Sequence, residues 1–305
     1  MPDSKPLHIL RHDNAVFDAT FSPDGRTIAT GCLTNNIELW DVATGQSRSV
    51  LRGHADGVCS LHFRTDSELI SASLDKTIRF WDPARTAALH FVGGHQVYLV
   101  DMDVSQDGKW LATASHDKTV MLWDAQQRTA AATFKDHADL VLAVAFSADS
   151  LWLASAGHDR TVRLWNVKDK KAAKIVGTLD SKVRDICFSP DGSRLFGSDD
   201  QGITVWDVES GRIMQKLETR PDSQTGHTAY VQCLGCSPDG RWLVSGGRDA
   251  AICLWSLKTL ELARMLRGHE NTIDGLQFSH DSKRLVSASF DRTARIWDIE
   301  SNSTD

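Results

Sequence analysis

Short runs in which apolar and polar residues alternate occur along almost the whole chain. Val58 to Phe63, Leu69 to Ser73 and Ile78 to Trp81 show the pattern, with polar turns between successive runs. A period of two places alternate side chains on opposite faces of a β-strand, and no segment shows the period of a helix. The pattern predicts an all-β protein built from short strands.

The turns between these runs have a chemical basis of their own. The tetrapeptide Ser-Pro-Asp-Gly recurs at 22–25, 189–192 and 237–240, each time between two alternating runs. Proline presets the φ angle of the second turn residue, and glycine accepts a positive φ at the end of the turn. The runs are therefore expected to pair as antiparallel hairpins.

One unit of this kind repeats along the chain. Seven tryptophans each close an alternating run, at steps of 41, 42, 42, 41, 49 and 42 residues. They are Trp40, Trp81, Trp123, Trp165, Trp206, Trp255 and Trp297. A histidine precedes six of them at a similar spacing: His12, His54, His95, His137, His227 and His269. Self-similarity at this period indicates a repeat architecture.

The repeats resemble those of the WD-repeat family. The resemblance rests on Gly-His and Trp-Asp pairs, as at Gly53-His54 with Trp81-Asp82 and at Gly268-His269 with Trp297-Asp298. It implies a seven-bladed β-propeller of four-stranded antiparallel blades. It also implies that the amino-terminal segment Pro6 to Leu10 closes the ring by pairing with the last blade. Residues 1–305 are expected to form one propeller, with blades ending near 41, 82, 124, 166, 207, 256 and 298.

Polar residues also recur at fixed places in the repeat, and five blades hold a complete set of histidine, hydroxyl, aspartate and tryptophan. The sets are His54, Ser71, Asp75, Trp81; His95, Thr113, Asp117, Trp123; His137, Ser155, Asp159, Trp165; His227, Ser245, Asp249, Trp255; and His269, Ser287, Asp291, Trp297. In WD repeats such sets form buried hydrogen-bond chains, so the resemblance implies a structural role.

These sets combine the residue types of a hydrolase triad, but their repetition argues against catalysis. A catalytic triad needs one constellation at one cleft, and the chain has no Gly-x-Ser-x-Gly nucleophile motif. Two blades depart from the pattern. Blade one has Thr34 at the aspartate position, and blade five has Leu179 for histidine and one residue fewer before Asp200.

Composition narrows the ligand classes. The chain has 305 residues and a formal net charge of −6, so no overall positive field favours nucleic acid. No apolar run approaches the length of a membrane span, and the six scattered cysteines favour a reducing compartment, so we expect an intracellular protein of the cytoplasm or nucleus.

Cys233-x-x-Cys236 has zinc-like spacing, but its residues fall on opposite faces of a predicted strand. We expect no metal and no cofactor.

By resemblance, the upper face of the propeller, around the channel, is the expected partner-binding surface. The predicted contact residues are Phe17, Leu33, Leu74, Tyr98, Val100, His116, Leu140, Leu142, His158, Lys182, Arg184, Tyr230, Arg248 and Phe290. Most of the apolar ones form an arc over blades seven and one to four, and blades five and six add the cations, with Asp199 among them. The pairing indicates a peptide partner with an apolar anchor and an acidic or phosphorylated flank. The alternative is that several of these side chains turn inward and pack the channel wall.

These observations predict a protein–protein interaction scaffold or adaptor that is not an enzyme. One alternative is a transcriptional corepressor-like or chromatin-associated regulatory subunit, since the long step between blades five and six loosely resembles corepressor propellers. The insertion that lengthens this spacing, Glu218 to Thr225, is expected to be a surface loop. A propeller enzyme would need a cluster of carboxylate or histidine side chains in the central channel, and the sequence predicts none.

Overall fold

The computed structural model describes residues 5–219 and 226–300. All regular secondary structure in these ranges is β-strand, and the strands form seven four-stranded antiparallel sheets. None of the described residues belongs to a helix that is long and apolar enough to cross a membrane. The predicted all-β propeller is confirmed. Most of the predicted loop Glu218 to Thr225, from residue 220 onward, lies outside the described residues.

The first four blades follow one another along the chain, each with its strands in sequence order. Blade one holds β2 (Val16–Phe21), β3 (Thr27–Cys32), β4 (Ile37–Asp41) and β5 (Ser47–Leu51). Blade two holds β6 (Val58–Thr65), β7 (Glu68–Ser73), β8 (Thr77–Asp82) and β9 (Ala87–Gly93). Blade three holds β10 (Leu99–Val104), β11 (Trp110–Ser115), β12 (Val120–Asp124) and β13 (Thr129–Phe134). Blade four holds β14 (Val141–Phe146), β15 (Trp152–Gly157), β16 (Thr161–Asn166) and β17 (Lys171–Thr178).

The last three blades complete the ring. Blade five holds β18 (Asp185–Phe188), β19 (Arg194–Ser198), β20 (Gly202–Asp207) and β21 (Ile213–Glu218). Blade six holds β22 (Val231–Cys236), β23 (Trp242–Gly247), β24 (Ile252–Ser256) and β25 (Leu262–Leu266). Blade seven holds β26 (Ile273–Phe278), β27 (Arg284–Ser289) and β28 (Thr293–Asp298), and its outer strand is β1 (His8–Arg11) from the other end of the chain.

The predicted closure of the ring is confirmed by this shared blade. Strand β1 pairs antiparallel with β28, with His8 opposite Ile296 and Arg11 opposite Thr293. The N–H of Leu7 extends the ladder to the carbonyl of Ile296 at 2.7 Å. Because the ring closes on itself, the first and last blades each have a neighbour on both sides, and the strand edges that remain are the short inner and outer strands of the blades.

The turns at the lower end of the blades form as their sequence predicts. In blade one the Ser22 hydroxyl donates to the Asp24 carboxylate at 2.6 Å, and the Gly25 N–H donates to the Ser22 carbonyl at 2.9 Å. Gly25 has a φ of 67°, which glycine adopts without strain. The serine–aspartate bond recurs in six blades, all except blade two, so the lower turns of these six blades are built alike.

The core lies between neighbouring blades rather than inside any one of them. Val58, Leu61 and Phe63 of blade two pack against Ile37 and Leu39 of blade one, and similar clusters occur around the ring. A single four-stranded sheet cannot bury both faces, so each blade depends on its neighbours for its apolar contacts.

Candidate functional site

The predicted partner-binding residues lie at one end of the ring. We call this end the upper face; it carries the turns between second and third strands and the segments that enter each first strand. Backbone bonds hold the two sets of residues together: the His116 N–H donates to the Tyr98 carbonyl at 3.1 Å, and the Arg248 N–H to the Tyr230 carbonyl at 3.1 Å. Equivalent bonds occur in blades one, two, four and seven, so these positions adjoin in six blades.

An apolar group on this face spans blades seven, one and two. The rings of Phe17 and Phe290 meet edge to face, 5.5 Å apart, although they come from opposite ends of the chain. Phe290 and Leu33 are 39% and 41% exposed, whereas Leu74 is half-buried. In blade three, Tyr98 is 46% exposed and lies 6.1 Å from the ring of His116. Leu140 and His158 of blade four are half-buried.

Three of the predicted contact residues surround the mouth of the channel. Phe17, Val100 and Leu142 occupy the same position in their first strands, and all three are half-buried. With Leu74, Arg184 and neighbouring residues they line a cavity of about 220 Å³. A partner would reach these side chains only by inserting a group into the channel mouth, so Leu33, Tyr98, Arg248 and Phe290 are the more accessible positions.

Blades five and six supply a cationic group beside this apolar surface. The guanidinium of Arg184 stacks on the ring of Tyr230 at 3.7 Å, and that of Arg248 lies 5.7 Å from the same ring. Arg184 also donates to the Asp200 carboxylate at 2.5 Å. The stacking holds Arg184 over Tyr230, while Arg248 is exposed. Lys182, at the entrance of the same blade, is half-buried.

The two histidines next to this group are biased toward their neutral form. Burial lowers the pKa of His158, and the charges of Lys182 and Arg184 lower it further. Burial also lowers the pKa of His116, with a smaller contribution from His158. The charges of Lys182 and Arg184 therefore act on blade four as well as on their own blade, against an opposing contribution from Asp139.

The five predicted polar sets are each brought together inside a blade. In blade two the Trp81 indole N–H donates to the Ser71 hydroxyl at 2.8 Å, Ser71 bonds His54 Nε2 at 2.7 Å, and His54 Nδ1 bonds Asp75 at 2.8 Å. The same three bonds form in the other four blades, with lengths between 2.7 and 3.0 Å. The indole can only donate, so it sets the direction of the whole chain.

The electrostatics of these sets fit a structural role. Burial lowers the pKa of His54, His95 and His269, and this effect outweighs the upward shift that their aspartate partners cause. Burial acts to raise the pKa of Asp75, but hydrogen bonds from His54, Thr77 and the Ala55 amide outweigh it and hold this pKa well below its ordinary value. The hydroxyl-bearing residues of all five sets are fully buried, so no substrate can contact them.

Blade five lacks the set, as its sequence indicates. Strand pairing places Gly197 opposite Thr204, the position that Ser71 holds opposite Arg79 in blade two. The indole N–H of Trp206 is buried and has no hydrogen-bond partner. The expected positions of the two aspartates are reversed: Asp199 is buried and accepts the N–H groups of Gln201 and Gly202, while Asp200 is exposed on the upper face. Because this turn is one residue shorter than in the other blades, each aspartate is shifted by one position from the place expected for it.

The expectation of a channel free of acidic clusters is wrong. Five aspartates line the cavity of about 300 Å³ at the centre of the ring: Asp18, Asp101, Asp103, Asp185 and Asp274. Burial raises the pKa of Asp18 and Asp103 to about 6 and that of Asp185 and Asp274 to about 7. An aspartate inside an otherwise apolar first strand, as in Val-Phe-Asp-Ala-Thr-Phe at 16–21, was the sequence signal for these positions.

These aspartates are spread around the channel and hydrogen-bonded to the backbone. Asp18 accepts the N–H groups of Ala19 in its own strand and of Leu61 in the next blade. Asp101, Asp103 and Asp185 make the same pair of bonds. No three of the channel carboxylates bring ligand atoms within 4.8 Å of one another in the described part of the chain. The cysteines at 233 and 236 also contact different neighbours, the carbonyls of 246 and 273 in one case and Cys187 in the other.

Comparison with known proteins agrees with the fold. Seven segments match the family described as WD domain, G-beta repeat: residues 4–41, 45–82, 87–124, 128–166, 172–207, 219–256 and 260–298. A nuclear distribution protein PAC1-1 of Uncinocarpus reesii is 29% identical over 98% of this chain and 62% of its own length. A nuclear distribution protein nudF of Aspergillus niger is 31% identical over 94% of this chain and 50% of its own length. Periodic tryptophan protein 2 of Arabidopsis thaliana is 28% identical over 92% of this chain and 34% of its own length. The chain thus spans about half to three-fifths of the first two relatives.

Proposed function

The chain belongs to the WD-repeat family, and we propose that it is a non-catalytic interaction scaffold that binds segments of partner proteins on its upper face. Family membership supports the general role, because a rigid ring of blades presents a fixed surface without needing chemistry of its own. The relatives carry names that refer to nuclear distribution and periodic tryptophan rather than to a reaction. We place the scaffold inside the cell, in the cytoplasm or nucleus.

The juxtaposition of two surfaces carries the proposal. The exposed aromatic and aliphatic side chains of Phe290, Leu33 and Tyr98 lie on the same face as the stacked group of Arg184, Tyr230 and Arg248. Aromatic and arginine side chains contribute most of the binding energy in many interfaces. A surface that combines both favours a partner segment over a small polar ligand.

The chemistry of this face supports one kind of partner segment. An apolar side chain of the partner would pack on Phe290 and Leu33, where contact removes apolar surface from water. An acidic or phosphorylated flank would bind Arg248 and the exposed part of Arg184 through charge-assisted hydrogen bonds. The neutral bias of His116 and His158 leaves the arginines and Lys182 as the main charges on this side of the face.

The channel aspartates support a structural role rather than a catalytic one. A general acid or base needs a carboxylate oxygen free to contact the substrate. Asp18, Asp101, Asp103 and Asp185 instead use both oxygens to accept backbone N–H groups from two adjacent blades. We therefore assign them to holding the first strands together, and we keep the non-enzymatic proposal.

Affinity capture from a lysate of the source cell tests the proposal, with the wild-type chain and a Tyr98→Ala, Arg248→Glu, Phe290→Ala variant as baits. All three side chains are exposed or largely so, and the variant is expected to fold. We expect it to lose a defined set of proteins that the wild type retains. Synthetic peptides from those proteins, measured by fluorescence anisotropy, should bind the wild type and weaken as salt rises.

A Leu151→Ala variant is the matched control. Leu151 is 52% exposed and lies in a turn at the opposite end of blade four. Its substitution by alanine therefore removes a similar apolar area, but from the lower face. It should capture the same proteins as the wild type. Capture that survives the triple substitution would reject the upper face. The identities of the captured proteins distinguish the corepressor-like or chromatin-associated alternatives from a general adaptor.

A further inference from the structure

The histidine of blade one has a different environment from the histidines of the five complete blades. Thr34 replaces the aspartate that binds the histidine elsewhere. Strand pairing shows two further replacements: Cys32 occupies the position of Ser73 in blade two, and Glu38 that of Arg79. The three changes place a thiol and a carboxylate beside His12.

The geometry of these side chains matches that of a transition-metal site. His12 Nδ1 lies 3.4 Å from Cys32 Sγ and 3.4 Å from a carboxylate oxygen of Glu38. All three potential ligand atoms lie within 4.8 Å of one another, and residues 5–219 and 226–300 contain no other such group. Ligands of a tetrahedral ion with bonds of about 2.0–2.3 Å are about 3.3–3.8 Å apart, so a small movement of these side chains would accommodate the ion.

A second observation separates His12 from the structural histidines. In the complete blades, Nε2 of the histidine bonds a serine or threonine hydroxyl. In blade one the Thr30 hydroxyl instead donates to the carbonyl of Glu38 and accepts from Trp40. The Nε2 atom of His12 is therefore buried without a partner, in a side chain that is 1% exposed. No hydroxyl therefore holds the His12 ring as in the complete blades, and its Nδ1 is the nitrogen that faces Cys32 and Glu38.

We propose that His12, Cys32 and Glu38 bind a zinc-like divalent metal ion in blade one. Nitrogen, sulfur and oxygen ligands together suit zinc and cobalt, whereas magnesium and calcium prefer oxygen alone. Binding replaces the thiol proton of Cys32, which leaves to solvent, and the thiolate and the carboxylate then balance the two positive charges. Neutralisation favours the ion at this mostly buried position.

Three protein ligands leave one coordination position for water or for a group from a partner. The Glu38 side chain is 24% exposed, whereas His12 and Cys32 are almost fully buried, so an ion would enter past the carboxylate. Leu33, the next residue after Cys32, belongs to the exposed apolar group of the upper face. Metal binding would therefore stiffen the turn that carries Leu33.

Titration of the reduced, chelator-treated protein with Co²⁺ tests the proposal. Co²⁺ takes zinc sites and reports its ligands by optical absorption. We expect one equivalent to produce visible bands of tetrahedral cobalt together with a near-ultraviolet thiolate charge-transfer band, and Zn²⁺ to remove both. Cys32→Ser should abolish the charge-transfer band. Glu38→Gln and His12→Gln should weaken binding by about tenfold or more, as losses around metal sites commonly do.

Cys59→Ser is the matched control, because Cys59 is a partly buried cysteine in the first strand of blade two that contacts carbonyl groups and not His12. It should keep the complete spectrum. The Glu38→Gln substitution replaces a partly exposed carboxylate by an amide of similar size. The variant is therefore expected to fold, and circular dichroism verifies that it does. A folded wild type without a thiolate–cobalt band, or a band that Cys32→Ser retains, would overturn the proposal. So would a Zn²⁺-induced rise in melting temperature that is equal in wild type and Glu38→Gln.

Discussion

Asp18 of blade one accepts a hydrogen bond from the backbone N–H of Leu61 in blade two at 2.7 Å, and its other oxygen accepts the N–H of Ala19 at 2.8 Å. One carboxyl group thus joins the first strands of two blades. Asp101, Asp103 and Asp185 repeat the arrangement with partners 43, 43 and 49 residues further along. These bonds make the channel wall a second connection between blades, in addition to the apolar clusters.

Asp18→Asn should destabilise the fold although it removes a buried charge. A carboxyl group accepts two N–H bonds, whereas an asparagine side chain would direct its own N–H₂ group at Leu61 or Ala19. We expect the free energy of unfolding to fall by about 1–3 kcal/mol, the usual effect of an unsatisfied buried donor. Urea denaturation monitored by tryptophan fluorescence measures it.

Asp274→Asn provides the comparison, because Asp274 accepts from the side-chain amide of Gln232 at 2.8 Å. An asparagine oxygen accepts that bond equally well. This variant should be as stable as the wild type or more so at neutral pH. Equal losses in the two variants would show that the backbone bonds of Asp18 are not the cause.

The channel aspartates should make stability depend on pH. Burial raises the pKa of Asp274 to about 7, above its value of 3.8 in the unfolded chain. The folded state therefore binds the proton more tightly, and this contribution to stability is complete below pH 3.8 and is lost as pH rises through about 7. The melting temperature of Asp274→Asn, relative to wild type, should rise between pH 4 and pH 8. A constant difference across this range would contradict the shifted pKa.

Ser71→Ala should cost more than Thr30→Val. Removal of the Ser71 hydroxyl leaves both Trp81 Nε1 and His54 Nε2 buried without partners, at about 1–3 kcal/mol each. Thr30 accepts from Trp40 and donates to the Glu38 carbonyl, but its hydroxyl makes no bond to His12 Nε2. The valine variant therefore leaves one buried side-chain nitrogen, Trp40 Nε1, without a partner, where Ser71→Ala leaves two. Urea denaturation of the two variants and of wild type gives the comparison. A smaller loss for Ser71→Ala would show that the hydrogen-bond chain contributes little.

His54 should titrate at a lower pH in the folded protein than in the unfolded chain, with the proton of its neutral form on Nδ1. Burial lowers its pKa below 6.5, and the Ser71 hydroxyl, which accepts from Trp81, donates to Nε2. Long-range proton–nitrogen correlation NMR distinguishes the two ring nitrogens and follows their titration. The same histidine in the urea-unfolded chain should titrate near its ordinary pKa of about 6.5, which serves as the reference. A pKa in the folded state equal to or above that of the unfolded chain would contradict the downward shift.

Much of the fold was predictable because each repeat carries its own local code. The alternating runs, the Ser-Pro-Asp-Gly turns and the tryptophan spacing predicted strands, hairpins and blades, and the polar sets lie within single blades. The first and last members of a set are 27 or 28 residues apart, as from His54 to Trp81 and from His95 to Trp123. The residue order within a repeat was therefore enough to group them. The reversed positions of Asp199 and Asp200 mark the limit of such reasoning, since a one-residue shortening of a turn exchanges buried and exposed positions.

The sequence by itself determined the repeat, the blade and the buried hydrogen-bond sets, while the tertiary structure decided what the blades form together. Closure of the ring brings Phe17 against Phe290, places Arg184 on Tyr230, and lines one channel with aspartates from four different blades. The contacts of His12 with Cys32 and Glu38, by contrast, lie within blade one and depend on how that blade folds. Strand periodicity specifies which residues share a face of one sheet, but it carries no information on which faces of separate sheets meet. That depends on how the blades pack around the axis.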